Sequence, residues 1–183
     1  MKKLARTSCI ILDRDGVINH DSDDYIKSPE EWQPIAGSLE AIAKLHKAGI
    51  KVVIATNQSG IARGMYDEIT LARIHTKMNQ LITAQGGRLS GIFYCPHGPD
   101  DGCDCRKPLP GLVHQIADAL SIDPVNMPFI GDSVRDLVAA EAAGCQAVLV
   151  KSGKGERSLA SGKVESHIPV FEDLASFVDF WLD

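Results

Sequence analysis

Five short apolar, β-branched runs, set among stretches with helical spacing, limit the folds open to this chain more than any other feature. They read "CIIL" at 9–12, "KVVIAT" at 51–56, "GIFYC" at 91–95, "PFIGD" at 128–132 and "AVLV" at 147–150. Runs that are apolar at nearly every residue suit strands buried on both faces of a parallel sheet, not strands with one wet face. Helical spacing links Leu71, Ile74, Met78, Leu81 and Ile82, then Leu112, Ile116, Ala119 and Leu120, and later Leu174, Phe177, Val178 and Trp181. The alternation predicts an α/β fold, a three-layer Rossmann-like parallel sheet with helices on both faces, whose ligands gather beyond the carboxyl ends of the strands. With 183 residues, 44% of them apolar, the chain can fill one continuous core, so residues 1–183 are read as a single domain.

The formal net charge is −5 and no run of Lys or Arg exceeds a pair, which argues against a nucleic-acid partner. The apolar run at Cys9–Leu12 is too short for a membrane span or the core of a secretory leader, so a cytoplasmic protein with no membrane partner is expected. In that reducing compartment five cysteines, an odd number, suit a metal better than a disulfide framework. The polar segment 151–166, "KSGKGERSLASGKVES", reads as a mobile loop.

Residues with chemistry stand where the strands end. "LDRDG" puts Asp13 and Asp15 two apart, so both carboxylates can turn to one site while Gly16 lets the chain bend away. "TNQSG" at 56–60 brings a hydroxyl, two amides and a turn suited to phosphate oxygens. "RKPLPG" at 106–111 supplies Lys107, and "GDSVRD" at 131–136 supplies Asp132 and Asp136. Just ahead of the lysine, Cys95-x-His97 and Cys103-x-Cys105 offer four ligands that can close a tetrahedral zinc site with no open position, hence a structural one. Such a site would fix the coil that presents Arg106 and Lys107. Cys9 and Cys145 read as core thiols, and His20, His46, His75, His114 and His167 have no partner pattern.

In this order, from residue 9 to about 150, the four motifs Asp13-Arg14-Asp15-Gly16, Thr56-Asn57, Lys107 and Gly131-Asp132 with Asp136 resemble the haloacid dehalogenase superfamily of phosphotransferases. The resemblance implies a Mg²⁺-dependent reaction through an aspartyl-phosphate. Asp13 would be the nucleophile and Asp15 the general acid and base, its pKa raised from about 3.9 by the phosphate and neighbouring carboxylates. Asp13 and Asp132 would bind Mg²⁺ by side-chain oxygens, with the Asp15 backbone carbonyl as a third ligand. Thr56 would hydrogen-bond the phosphoryl oxygens, Lys107 would offset their charge, and Asp136 would orient Lys107 or a metal-bound water.

Within the superfamily, the zinc loop together with "RDG", "TNQSGIARG" and "CDCRKP" is similar to the heptose bisphosphate phosphatases of heptose nucleotide biosynthesis, with histidinol phosphatases as near relatives. This implies a small sugar bisphosphate as substrate and removal of its 7-phosphate. Histidinol phosphate, or less readily a 3′-phosphorylated nucleic acid, is the alternative, and a non-catalytic binding module would be expected to lack Asp13. No segment between motifs is long enough for a large cap domain, so selection falls to loop residues: Asp21, Tyr25, Asn57, Gln58, Ser59 and Arg106. A monomer is expected. Two positions depart from the family pattern: only five residues separate His97 from Cys103, and Ser133 stands where some members carry Lys.

Overall fold

The computed structural model describes residues 6–183; the basic start of the chain, on which the expectation about a leader partly rests, lies outside the described residues. Six strands form one sheet in the order β3-β2-β1-β4-β5-β6, namely β1 Cys9–Leu12, β2 Lys51–Asn57, β3 Gly91–Cys95, β4 Pro128–Gly131, β5 Gln146–Val150 and β6 Val170–Phe171. Every pairing is parallel. Helices α1 Ser38–Lys47, α2 Glu68–Ala84 and α6 Leu174–Leu182 cover one face, α3 Gly111–Leu120 and α4 Val134–Ala142 the other, as the alternation predicts.

The strand period of two divides the core between these layers. Ile10, Leu12, Val52 and Ile54 pack with Ile42, Ile74 and Phe177, while Cys9, Ile11, Val53 and Ala55 pack with Leu112, Ile116 and Ala140. Each fully buried Ile or Leu contributes about 1.5–3 kcal/mol. β3 is an edge strand, which is why only Cys95 of its five residues is fully buried although its sequence is as apolar as the rest.

From β1 the chain winds out to β3 and then crosses back to β4 on the other side of β1. A reversal of this kind opens a crevice at the carboxyl ends of the two strands. Asp13 follows β1 and Asp132 follows β4, and the chain folds tightly there: the Asp13 N–H donates to Ile130 O at 2.9 Å. Between β1 and β2, the segment that carries Asp21 and Tyr25 is pinned by buried Val17, Ile18, Ile26 and Trp32, and Lys77 on α2 donates to Pro29 O and Trp32 O. No described helix is long and apolar enough to cross a membrane.

Two elements differ from expectation. β6 is only two residues long, too short to leave a periodic signal, and pairs through Leu149↔Val170 and Val150↔Phe171. Segment 151–166, expected as a mobile loop, begins instead as a strap that includes the helix α5 Gly155–Ala160, while 161–166 is largely exposed turn. Two of its serines tie it to the site: Ser152 Oγ donates to Gly16 O, and Ser158 Oγ donates to Asp132 O.

Candidate active site

Asp13, Thr56, Lys107 and Asp132 converge on one cavity of about 280 Å³ at the strand ends. Lys107, only 2% exposed, has every donor engaged, on Ala55 O at 2.8 Å, Asp13 Oδ1 at 3.0 Å and Asp136 Oδ1 at 2.6 Å. Its backbone is held from both sides by Asn57, whose Nδ2 donates to Lys107 O and whose Oδ1 accepts from the Lys107 N–H, each at 3.0 Å. Burial opposes the charge on Lys107, but Asp13 and Asp136 outweigh it and hold the ammonium charged. Asp136 also opens α4: its Oδ2 accepts from the Ser133 N–H and hydroxyl, so Ser133 serves as a helix cap. Thr56 is buried and its Oγ1 accepts from Gln58 Nε2, which leaves the hydroxyl proton free to donate into the cavity.

The carboxylates of Asp13, Asp132 and Asp136 lie close enough to share one cation, with one oxygen from each within 4.8 Å of the others. Their electrostatics suit one. Burial, with Asp136 and Asp15 nearby, pushes Asp13 up to about 7 against the pull of Lys107; burial, Asp136 and Asp13 push Asp132 up to about 8. A divalent cation would offset that mutual repulsion.

Asp132 is held by the strap. Its Oδ2 accepts from the Lys154 N–H at 2.7 Å, and two glycines close around it. A Cβ on Gly16, where φ is +82°, would lie 1.9 Å from Asp132 Oδ2; one on Gly153, where φ is +60°, would lie 2.3 Å from it. Both glycines are thus required twice over, for a left-handed backbone and for space.

Asp15 sits among hydrogen-bond donors. Its environment lowers the pKa: burial would raise it, but Arg14 and hydrogen bonds from Asn19 and Gln58 outweigh burial. Arg14 is fully buried, with Nε and Nη2 on Asp15 and Nη1 on His75 Nε2 at 3.3 Å. Burial and Arg14 push His75 down to about 3, so it is neutral and accepts. Gln58 Oε1 accepts from Arg14 Nη2 and the Tyr66 hydroxyl. Asp15 lies outside the three-carboxylate group, so its side chain is not part of that candidate cation site.

The loop residues proposed from the sequence all line the cavity, but with unequal freedom. The Asn57 amide is spent on Lys107 and the Gln58 amide on Asp15, Thr56, Tyr66 and Arg14, so both position other groups. Asp21 is ion-paired with Lys154 at 2.6 Å. Ser59 and Tyr25 face the cavity, Tyr25 on a left-handed backbone at φ +65°, and Arg106 Nη1 donates to His97 O at 3.1 Å. Sequence reasoning missed Arg14 as a clamp, His75, Tyr66 and the strap residues Ser152, Gly153, Lys154 and Ser158. Their only sequence signal was the pair of glycines at 153 and 155 in an otherwise polar stretch.

Cys95, His97, Cys103 and Cys105 converge, each offering one ligand atom within 4.8 Å of the others. Cys95 Sγ is 3.7 Å from Cys103 Sγ and 3.6 Å from His97 Nδ1, which is 3.4 Å from Cys105 Sγ. Bond lengths of about 2.3 Å to sulfur and 2.0 Å to nitrogen give tetrahedral edges of roughly 3.5–3.8 Å, within about 0.1 Å of these separations, so the four residues fit zinc. Gly102, at φ +67°, turns the short loop, and Asp101 Oδ2 accepts from the Gly98 N–H. Cys9 and Cys145 are buried core thiols, pushed up by burial to about 11 and about 12.

Comparison with known proteins agrees with this geometry. A haloacid dehalogenase-like hydrolase family model matches residues 10–86 and a HAD-hydrolase-like model residues 104–177. The chain is similar to D-glycero-β-D-manno-heptose-1,7-bisphosphate 7-phosphatases of Pseudomonas aeruginosa, 56% identical over 92% of this chain and 94% of the relative, and Pseudomonas putida, 57% identical over 91% and 95%. Among solved structures it resembles the D,D-heptose 1,7-bisphosphate phosphatase of B. bronchiseptica complexed with magnesium and phosphate, with TM-score 0.94 and 52% identity over 96% of this chain and 98% of that one. Four motifs on one crevice, together with relatives this similar along nearly their whole length, show that the chain belongs to the haloacid dehalogenase-like hydrolase family.

Proposed function

We propose that this protein removes the 7-phosphate of D-glycero-β-D-manno-heptose 1,7-bisphosphate, the reaction its relatives are named for, in the supply of heptose precursors for lipopolysaccharide. The observation that carries the reading is the meeting of Asp13, Thr56, Lys107 and Asp132 on one cavity. Residues 1–183 act as one phosphatase domain with the whole site in a single chain, working as a monomer in the cytoplasm, where the five cysteines, all free, stay reduced.

Asp13 attacks phosphorus while the Thr56 hydroxyl donates to the phosphoryl oxygens and the Lys107 ammonium offsets their negative charge, the main obstacle to the reaction. Asp15 protonates the leaving sugar oxygen and then takes a proton from the water that hydrolyses the aspartyl-phosphate on Asp13. In the free site Asp15 is held ionised by Arg14, so the proton it donates arrives with the substrate, whose added negative charge raises the carboxyl's pKa. Asp13 and Asp132, with the Asp15 carbonyl, would hold Mg²⁺, which would supply charge neutralisation to the carboxylates and the phosphoryl group. Cys95, His97, Cys103 and Cys105 would hold Zn²⁺ as a structural ion.

The role of Asp132 is tested at Gly153. Gly153→Ala should raise the Mg²⁺ concentration needed for half-maximal activity by about tenfold, the usual scale for disturbing a residue behind a metal ligand, and weaken stabilisation by Mg²⁺ in thermal melts. Gly162→Ala is the control, because Gly162 has a similar φ of +69° but nothing within 4 Å of its added Cβ. Equal Mg²⁺ requirements in the two variants would remove the strap from metal binding.

Phosphorus NMR of the product tests the substrate. The 7-phosphate signal should be lost and the anomeric one kept, since the primary phosphate on an exocyclic arm reaches Asp13 more readily than a ring-bound one. Loss of the anomeric signal, or a preference for histidinol phosphate in a parallel assay, would overturn the assignment.

A further inference from the structure

A hydroxyl can give or take a hydrogen bond, so the direction of the Thr56 proton must be fixed before Thr56 can serve reliably as a donor to an anion. Among the described residues Thr56 Oγ1 has one partner, Gln58 Nε2 at 2.9 Å, and the direction depends on which end of that amide faces it.

The surroundings of Gln58 leave its amide one orientation. At one end lie Arg14 Nη2 at 3.2 Å and the Tyr66 hydroxyl at 2.6 Å; at the other lie Asp15 Oδ2 at 3.0 Å and Thr56 Oγ1. A guanidinium only donates and a carboxylate only accepts, so the end on Arg14 is the carbonyl oxygen and the end on Asp15 is the NH₂ group. A flipped amide would set donor against donor at Arg14 and acceptor against acceptor at Asp15, in a buried position where unmatched polar groups cost most. Arg14 cannot turn aside to allow it, because its Nε and Nη2 are on Asp15 and its Nη1 is on His75 Nε2. Tyr66 locks the same end. Burial pushes its hydroxyl up to about 12, so it keeps its proton and donates, and its ring fits only because residue 60 is Gly, where a Cβ would lie 2.3 Å from Tyr66 Cε1. The Gln58 N–H, on Cys95 O at 2.7 Å, anchors the backbone beneath.

With the NH₂ group donating, Thr56 Oγ1 accepts, and its proton is left for the cavity that Thr56 lines. We propose that Gln58 is a positioning residue: Arg14 and Tyr66 orient its amide, and the amide in turn makes Thr56 a donor to the phosphoryl group. The inference rests on the phosphatase reading above, in which the Thr56 hydroxyl meets the transferring group.

The test is a pair of double-mutant cycles in kcat/KM with an aryl phosphate and Mg²⁺, which makes no use of the sugar. In the wild type Thr56→Val should cost about 100-fold, the scale for one lost donor to a developing anion. Gln58→Glu reverses the polarity: its oxygen beside Thr56 accepts when the carboxyl is ionised, and accepts also when it is protonated, because the proton then goes to Asp15 Oδ2. The hydroxyl turns from the cavity, so Thr56→Val should cost less than about threefold in that background. Gln58→Met, similar in length but with no N–H to donate, leaves the hydroxyl unsteered, and Thr56→Val should cost about tenfold there. Melting curves report the folding of each variant, and a role in packing alone would leave the cost of Thr56→Val the same in all three backgrounds. A cost of about 100-fold in Gln58→Glu, or in Gln58→Met should the first variant not fold, overturns the role of Gln58 while the phosphatase reading stands. A wild type in which Thr56→Val costs little removes Thr56 from phosphoryl binding, and the role of Gln58 falls with it.

Discussion

Asp13→Asn lowers turnover by about 10⁴-fold or more, the scale seen when a catalytic nucleophile is removed, while the protein stays folded. The substitution keeps the side chain's size and replaces the nucleophilic carboxylate by a neutral, poorly nucleophilic amide. The fold survives because Lys107 keeps Asp136 and Ala55 O, and because neutralising Asp13 relieves its repulsion from Asp136 and Asp15. A melting temperature at or near that of the wild type, alongside the loss of turnover, separates chemistry from stability. Steady-state kinetics within tenfold of wild type would sink the covalent pathway, and trapping of a phosphorylated Asp13 in the wild type with rapid quenching supports it directly.

Cys103→Ser, or removal of zinc by a strong chelator, lowers the melting temperature by about 10 °C. The figure corresponds to a loss of about 3 kcal/mol at roughly 2–4 °C per kcal/mol for a chain of this size. The loop from Cys95 to Lys107 has little regular structure, and a turn at Gly102 and a few hydrogen bonds are all that would hold it without the ion. Activity should fall with stability, because the residue after Cys105 is Arg106 and the next is Lys107. Metal analysis of protein purified without chelator decides the matter: one zinc per chain is expected. No zinc, or zinc carrying an exchangeable water, would overturn a structural role.

The first five strands were legible because their apolar runs are local and long enough to state a period, and the motifs at their ends stood out because parallel sheets gather chemistry there. Cys95, His97, Cys103 and Cys105 were legible for a similar reason, since two short ligand pairs eight residues apart need only one turn to meet. β6 was not, because two residues carry no period. The first part of segment 151–166 was misread because polar and glycine-rich composition marks a loop only when its hydrogen bonds go to water; here Ser152, Lys154 and Ser158 bond to Gly16 and Asp132, while 161–166 is exposed turn.

Residue type and order by themselves determined the layered α/β class, the four strand-end motifs and a metal-binding coil ahead of Lys107, all features that span a few neighbouring residues. Only the tertiary structure decided what each polar group is free to do. Asn57 and Gln58 are spent on Lys107 and Asp15, Arg14 reaches 61 residues along the chain to His75, and Ser152 reaches 136 residues back to Gly16. Such pairings depend on the sheet order, which brings β1, β2 and β4 side by side, and on the packing of α2 and the strap over their ends. A hydrogen bond is satisfied by whichever group lies within about 3 Å of it, and distance in space is set by the fold, not by separation along the sequence.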